Sequence, residues 1–197
     1  MVEWFMIILI AGGTHTGKTW AAQRFLEKYR YPYLSMDHLK MGLIRSGVCP
    51  LSPESDSGEL TSYLWNIVKE MIKTALENRQ NLIVEGCYIP FDWKKDFDGD
   101  SLRKIRYICL VFSEKYIRSH YGDILKHANI IESRPDGGGC SKEMLLEENR
   151  RHLRMCREHG CPCLLMDDRY EVEWDVMQGR LCNAGMRMAA GRKRMQK

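Results

Sequence analysis

Gly12, Gly13, Thr14, His15, Thr16, Gly17, Lys18 and Thr19 follow one another as G-x-x-x-x-G-K-T. These residue types in this order suit one task, the holding of a polyphosphate such as that of ATP. The glycine-rich turn lets successive backbone N–H groups curl around phosphate oxygens. The lysine reaches the β- and γ-phosphates, and the threonine hydroxyl ligates Mg2+. The pattern has this meaning only between a strand and a helix. The apolar run 4–10 ahead of it has strand length, and 20–29 behind it reads as a helix whose N-terminus adds partial positive charge. A ligand-free tight turn would explain the glycines but not the whole set.

Phosphoryl transfer also needs a group to orient or deprotonate the acceptor, a carboxylate for the metal, and cations around the moving phosphoryl. Asp37 directly follows a short strand-like run, where a carboxylate can take the proton of an acceptor hydroxyl. An aspartate in that place also suits a helix N-cap, and the two roles are compatible. Lys40, one turn on, is suited equally to an anionic group of the acceptor and to solvent. Glu85 ends the buried run Leu82-Ile83-Val84 and precedes Gly86, a place for a residue that holds Mg2+ through water. Arg118 and Arg134 lie in a polar stretch, about 114–140, that reads as a lid with a glycine hinge at 137–139. Arg150, Arg151, Arg154 and Arg157 share one helix and read chiefly as a solvated face. Phe91 and Trp93 read as packing.

The elements that must position these groups alternate along the chain. Strand-like runs fall at 5–10, 31–35, 82–84, 106–112 and 163–166. Helical stretches lie at 20–29, 37–45, 59–78, 141–159 and 171–187, and a proline- and serine-rich loop spans 47–58. Alternation of this kind predicts an α/β protein with a parallel sheet covered on both faces. Right-handed crossovers then gather the strand C-termini on one edge, which brings the glycine-rich loop, Asp37 and Glu85 together.

With 197 residues and 44% hydrophobic composition, the chain suits one globular domain, here 1–191, with a basic tail at 192–197. A net charge of +4 is too weak to argue for nucleic acid as a partner; an anionic small molecule produces the same bias. No apolar run reaches membrane-spanning length, and the first one leads straight into the loop, so a cytoplasmic protein is expected. The eight cysteines then read as reduced thiols. Cys156, Cys161 and Cys163, near His152 and His159, have a spacing poorly matched to zinc.

Taken together, residues 12–19, Asp37, Glu85-Gly86 and the arginine-bearing stretch resemble the small P-loop kinases of the nucleoside-monophosphate-kinase-like fold. That resemblance implies a five-stranded parallel sheet of order 2-3-1-4-5, with ATP, Mg2+ and a small hydroxyl-bearing acceptor. The run from Leu34 to Lys40 is similar to the adenylate-kinase stretch leading to the monophosphate-binding helix, with Lys40 in place of its arginine. Adenylate kinases carry Asp-Gly-Phe-Pro-Arg after strand three. Here Glu85-Gly86-Cys87-Tyr88-Ile89-Pro90 lacks that arginine and looks more like the 2-phosphoglycerate kinase pattern. Asp37 also resembles the residue that acts on the acceptor hydroxyl in the zeta-toxin, shikimate-kinase and gluconate-kinase branches. A nucleotide-binding regulator or ATPase without an acceptor is the alternative from another class.

Overall fold

The computed structural model describes residues 5–127, 140–170, 172, 174–175 and 180–181. It is built around β1 (Ile7–Gly12), β2 (Tyr33–Ser35), β3 (Leu82–Glu85), β4 (Ile105–Phe112) and β5 (Cys163–Met166). The five form one parallel sheet in the order β2-β3-β1-β4-β5. This is the architecture implied by the resemblance. Strand β1 is central and every one of its residues is buried, which explains its unbroken apolar run: a strand covered on both faces has no polar alternation.

Helices α1 (Lys18–Tyr29), α5 (Glu114–His127) and the first half of α6 (Lys142–Glu158) cover one face. Ala21, Ala22, Phe25, Ile117, Ile124, Leu145 and Leu146 pack there on Ile8, Ile10, Ile108 and Leu110. The other face is covered by α3 (Ser57–Glu77), whose Leu60, Leu64, Val68, Ile72 and Ala75 meet Ile7, Leu9, Val84 and Val111. Asp56 caps α3 by accepting from the backbone of Gly58 and Glu59. Between β3 and β4 lie a single 3-10 turn, Trp93–Asp96, and α4 (Gly99–Lys104). Trp93 is packing, as expected, stacked on Tyr107 with 5.7 Å between ring centroids.

Two expectations change. The stretch after residue 113 is helical through His127, with Tyr116, Ile117 and Ile124 buried against the sheet, so the first half of the expected lid is part of the domain's wall. The turn leaves helical geometry only at His120. Residues 128–139, with Arg134 and the expected glycine hinge, and the tail 192–197 lie outside the described residues. Within the span 171–187, expected to be helical, the two described elements are strands. Trp174–Asp175 (β6) pairs antiparallel with Arg180–Leu181 (β7). The physical reason is legible: Tyr170, Val172, Trp174 and Val176 alternate with Glu171, Glu173 and Asp175, a period of two that suits a strand.

Cys156 of α6 meets Cys109 of β4 and Cys163 of β5, and the Cys161 thiol donates to the Phe91 carbonyl at 3.2 Å. Hydrogen bonding to Cys109 and burial push the Cys156 thiol up. Among the described residues no group of three or more His, Cys, Asp and Glu side chains has the arrangement of a metal site, and no helix is long and apolar enough to cross a membrane.

Candidate active site

The loop between β1 and α1 carries its own explanation. His15 and Gly17 have φ of 61° and 78°, while Thr14 before them and Thr16 between them keep the ordinary hand. Alternation of this kind turns successive N–H groups towards one concavity, an anion nest. Thr16 ties the turn by donating its hydroxyl to Gly13 O at 2.8 Å. Lys18 opens α1, is only 8% exposed, and donates its ammonium to the same Gly13 oxygen at 2.7 Å.

Glycine at 17 is required twice. Its φ is left-handed, and a Cβ there would stand 2.2 Å from the Tyr170 hydroxyl. Tyr170, just beyond β5, donates to Gly17 O at 3.1 Å and packs edge-on against Trp20. Its phenol is pushed well up by burial, so it stays a donor. The ring thus supports the loop from behind. Sequence reasoning missed it, because nothing local marks one tyrosine of nine as a loop support.

Glu85 ends β3 between Ile10 of β1 and Ser35 of β2, and it is 1% exposed. The Thr19 hydroxyl donates to its Oε1 at 3.2 Å. The sheet thereby joins the last residue of the phosphate-loop motif to the strand-three carboxylate, as strand alternation required. A hydroxyl beside a buried carboxylate is a set of hard oxygen donors, and it fits Mg2+.

Asp37 lies in the first turn of α2 (Met36–Arg45), where Ser35, not Asp37, is the N-cap residue. Its carboxylate pairs with Lys40 at 3.0 Å, and Lys40 also donates to the Tyr88 hydroxyl at 2.9 Å. Burial works against the Lys40 charge, but Tyr88 and Asp37 outweigh it and hold the ammonium above the usual lysine range. Tyr88 is a further site residue that the sequence did not single out. Cys87, beside it, is the site's electrostatic meeting point. Its thiol is pushed up to about 11 by burial, and the charges of Lys18, Asp37, Lys40 and Glu148 all act on it. The loop, the start of α2 and the end of β3 therefore lie close to one another around Cys87.

Arg118 is placed otherwise. It lies on α5 with its side chain 57% exposed, donating to Glu114 at 2.6 Å; Arg150 of α6 takes the other oxygen of Glu114 at 2.8 Å. The Arg150–Glu114 pair links α6 to α5, whereas the Arg118–Glu114 pair lies within α5. Together the two arginines hold the Glu114 carboxyl below the usual range, Arg150 foremost.

No protein-family model matches this sequence, and no curated protein matches it. Among solved structures, a shikimate kinase from Bacteroides thetaiotaomicron is similar over 88% of this chain and 93% of its own, at 15% identity and a TM-score of 0.49. A deoxyadenosine kinase from M. mycoides is similar over 88% and 94%, at 15% identity and a TM-score of 0.47. A gluconokinase from Sinorhizobium meliloti is similar over 79% and 95%, at 15% identity and a TM-score of 0.38. The parallel sheet order β2-β3-β1-β4-β5, with the glycine-rich loop at the end of its central strand, is the α/β architecture that the sequence resemblance implied.

Proposed function

We propose that this chain is a Mg2+-dependent phosphotransferase that moves the γ-phosphoryl group of ATP to a hydroxyl of a small acceptor. One observation carries the reading: the anion nest with Lys18, the Thr19–Glu85 donor pair and Asp37 all stand at one sheet edge. The loop N–H groups and Lys18 hold the β- and γ-phosphates. Thr19 and Glu85 hold Mg2+, which when bound offsets phosphate charge. Asp37 takes the acceptor's proton as the acceptor oxygen bonds to the γ-phosphorus and the bond to the β–γ bridging oxygen breaks. Lys40, already turned into this space with Tyr88, faces an anionic group of the acceptor, which favours a hydroxy acid of the 2-phosphoglycerate kind. Arg134 is the proposed cation for the transferred charge, and Arg118 joins it by exchanging Glu114 for phosphate. A cytoplasmic location goes with use of the ATP pool.

The test is ADP release by the purified protein with ATP, Mg2+ and a panel of hydroxylated metabolites. Release that depends strongly on one acceptor class supports the reading. Release indifferent to every acceptor would point instead to a nucleotide-binding regulator or ATPase.

A further inference from the structure

Helix α6 carries its arginines on the surface, yet its Glu148 turns inward onto the glycine-rich loop. The carboxylate accepts from the Thr14 backbone N–H at 2.9 Å and from the Thr14 hydroxyl at 3.4 Å. A Cβ built on Gly13 would stand 3.0 Å from its Cδ, so the loop passes directly beneath the carboxyl group. On the other side of the same peptide, Gly13 O receives the Lys18 ammonium. Two oxygens of an oxyanion, held by a loop N–H and a hydroxyl, reproduce what a phosphate draws from such a loop. The chain lays an anion of its own on the second and third residues of the motif.

Resting on the nucleotide-binding reading above, we propose that Glu148 sets the loop's preference between triphosphate and diphosphate by competing with the terminal phosphoryl group for the Thr14 N–H. Like charges a few ångströms apart repel even at the effective dielectric of a protein surface. The terminal phosphoryl carries the largest share of a triphosphate's charge and lies outermost along it, so the repulsion falls on ATP and largely spares ADP. Transfer of that phosphoryl to the acceptor relieves it. Glu148 is therefore a specificity-determining residue that keeps ATP from being held too firmly before transfer.

The experiment is calorimetric titration of Mg-ATP and Mg-ADP into the wild-type chain, Glu148→Gln and Glu148→Ala. Glutamine keeps an acceptor for the Thr14 N–H and removes only the charge; alanine removes both. In both variants ATP is expected to bind about tenfold more tightly, while ADP affinity stays within about twofold. KM for ATP falls in step. An equal change for ATP and ADP overturns the proposal, as does weaker ATP binding to Glu148→Gln. Unaltered binding to Glu148→Gln with weakened binding to Glu148→Ala also overturns it, since that pattern belongs to a structural tie. If the wild-type chain binds neither nucleotide, the reading of the loop falls and this inference with it. If it binds both and Glu148→Gln leaves their ratio unchanged, only this inference falls.

Discussion

Lys18 and Asp37 make separable contributions, and substitution separates them. Lys18→Ala leaves the loop without its buried cation. Turnover is expected to fall by about 3 kcal/mol of transition-state stabilisation or more, over about a hundredfold, in single-turnover measurements. Asp37→Asn preserves size and hydrogen bonding, so ATP affinity should hold while turnover falls by about a hundredfold. Equal loss of both quantities would make Asp37 structural. The Lys18, Thr19, Asp37 and Glu85 set was legible in the sequence because each lies within a few residues of a strand end, where local pattern predicts position. Tyr88, Glu148 and Tyr170 were not. Thr14 and Glu148 are 134 residues apart in the chain, and no periodicity within α6 distinguishes Glu148 from the surface glutamates beside it.

At the scale of elements, the loop depends on neighbours distant in sequence. Gly17→Ala combines a left-handed φ with a Cβ 2.2 Å from the Tyr170 hydroxyl. It should cost about 2 kcal/mol, read as a lowered unfolding midpoint in denaturant. Elsewhere α3 is fastened to the 3-10 turn through Asp96, which accepts from the Trp65 indole at 2.8 Å and from Lys69 at 3.3 Å. Burial raises the Asp96 carboxyl, but Trp65 and Lys69 outweigh it and hold the group below its ordinary value. A depressed folded-state value means stability that is present above about pH 4 and lost as pH falls through the folded value. Stability measured from pH 5 to pH 3 should therefore fall less steeply in Asp96→Asn than in the wild type. The strands and the long helix α3 were readable from apolar period alone. Strands β6 and β7 were misread as helix because two-residue strands carry little period of their own, and antiparallel pairing decided their state.

Across the whole molecule, the order β2-β3-β1-β4-β5 puts β1 between two parallel partners and buries it from both faces. Amide hydrogen exchange should be slowest in 7–11 and in β4 beside it, and faster in the edge strand β2. Strand β4 is joined to α6 by Asn149, which accepts from Phe112 N at 2.8 Å and donates to Leu145 O within α6 at 2.8 Å. Asn149→Ala leaves that buried N–H without its acceptor and should cost about 2 kcal/mol by thermal unfolding. The sheet order was inferred from resemblance, since alternation alone fixes neither neighbours nor order; parallel pairing is non-local. Tyr170's place against Gly17 bears on biosynthesis. A ribosome makes the glycine-rich turn well before the ring that braces it, which is joined some 153 residues later. A nascent chain halted before that point carries the complete motif with an unbraced turn, so nucleotide affinity should mature only when nearly the whole domain has left the exit tunnel.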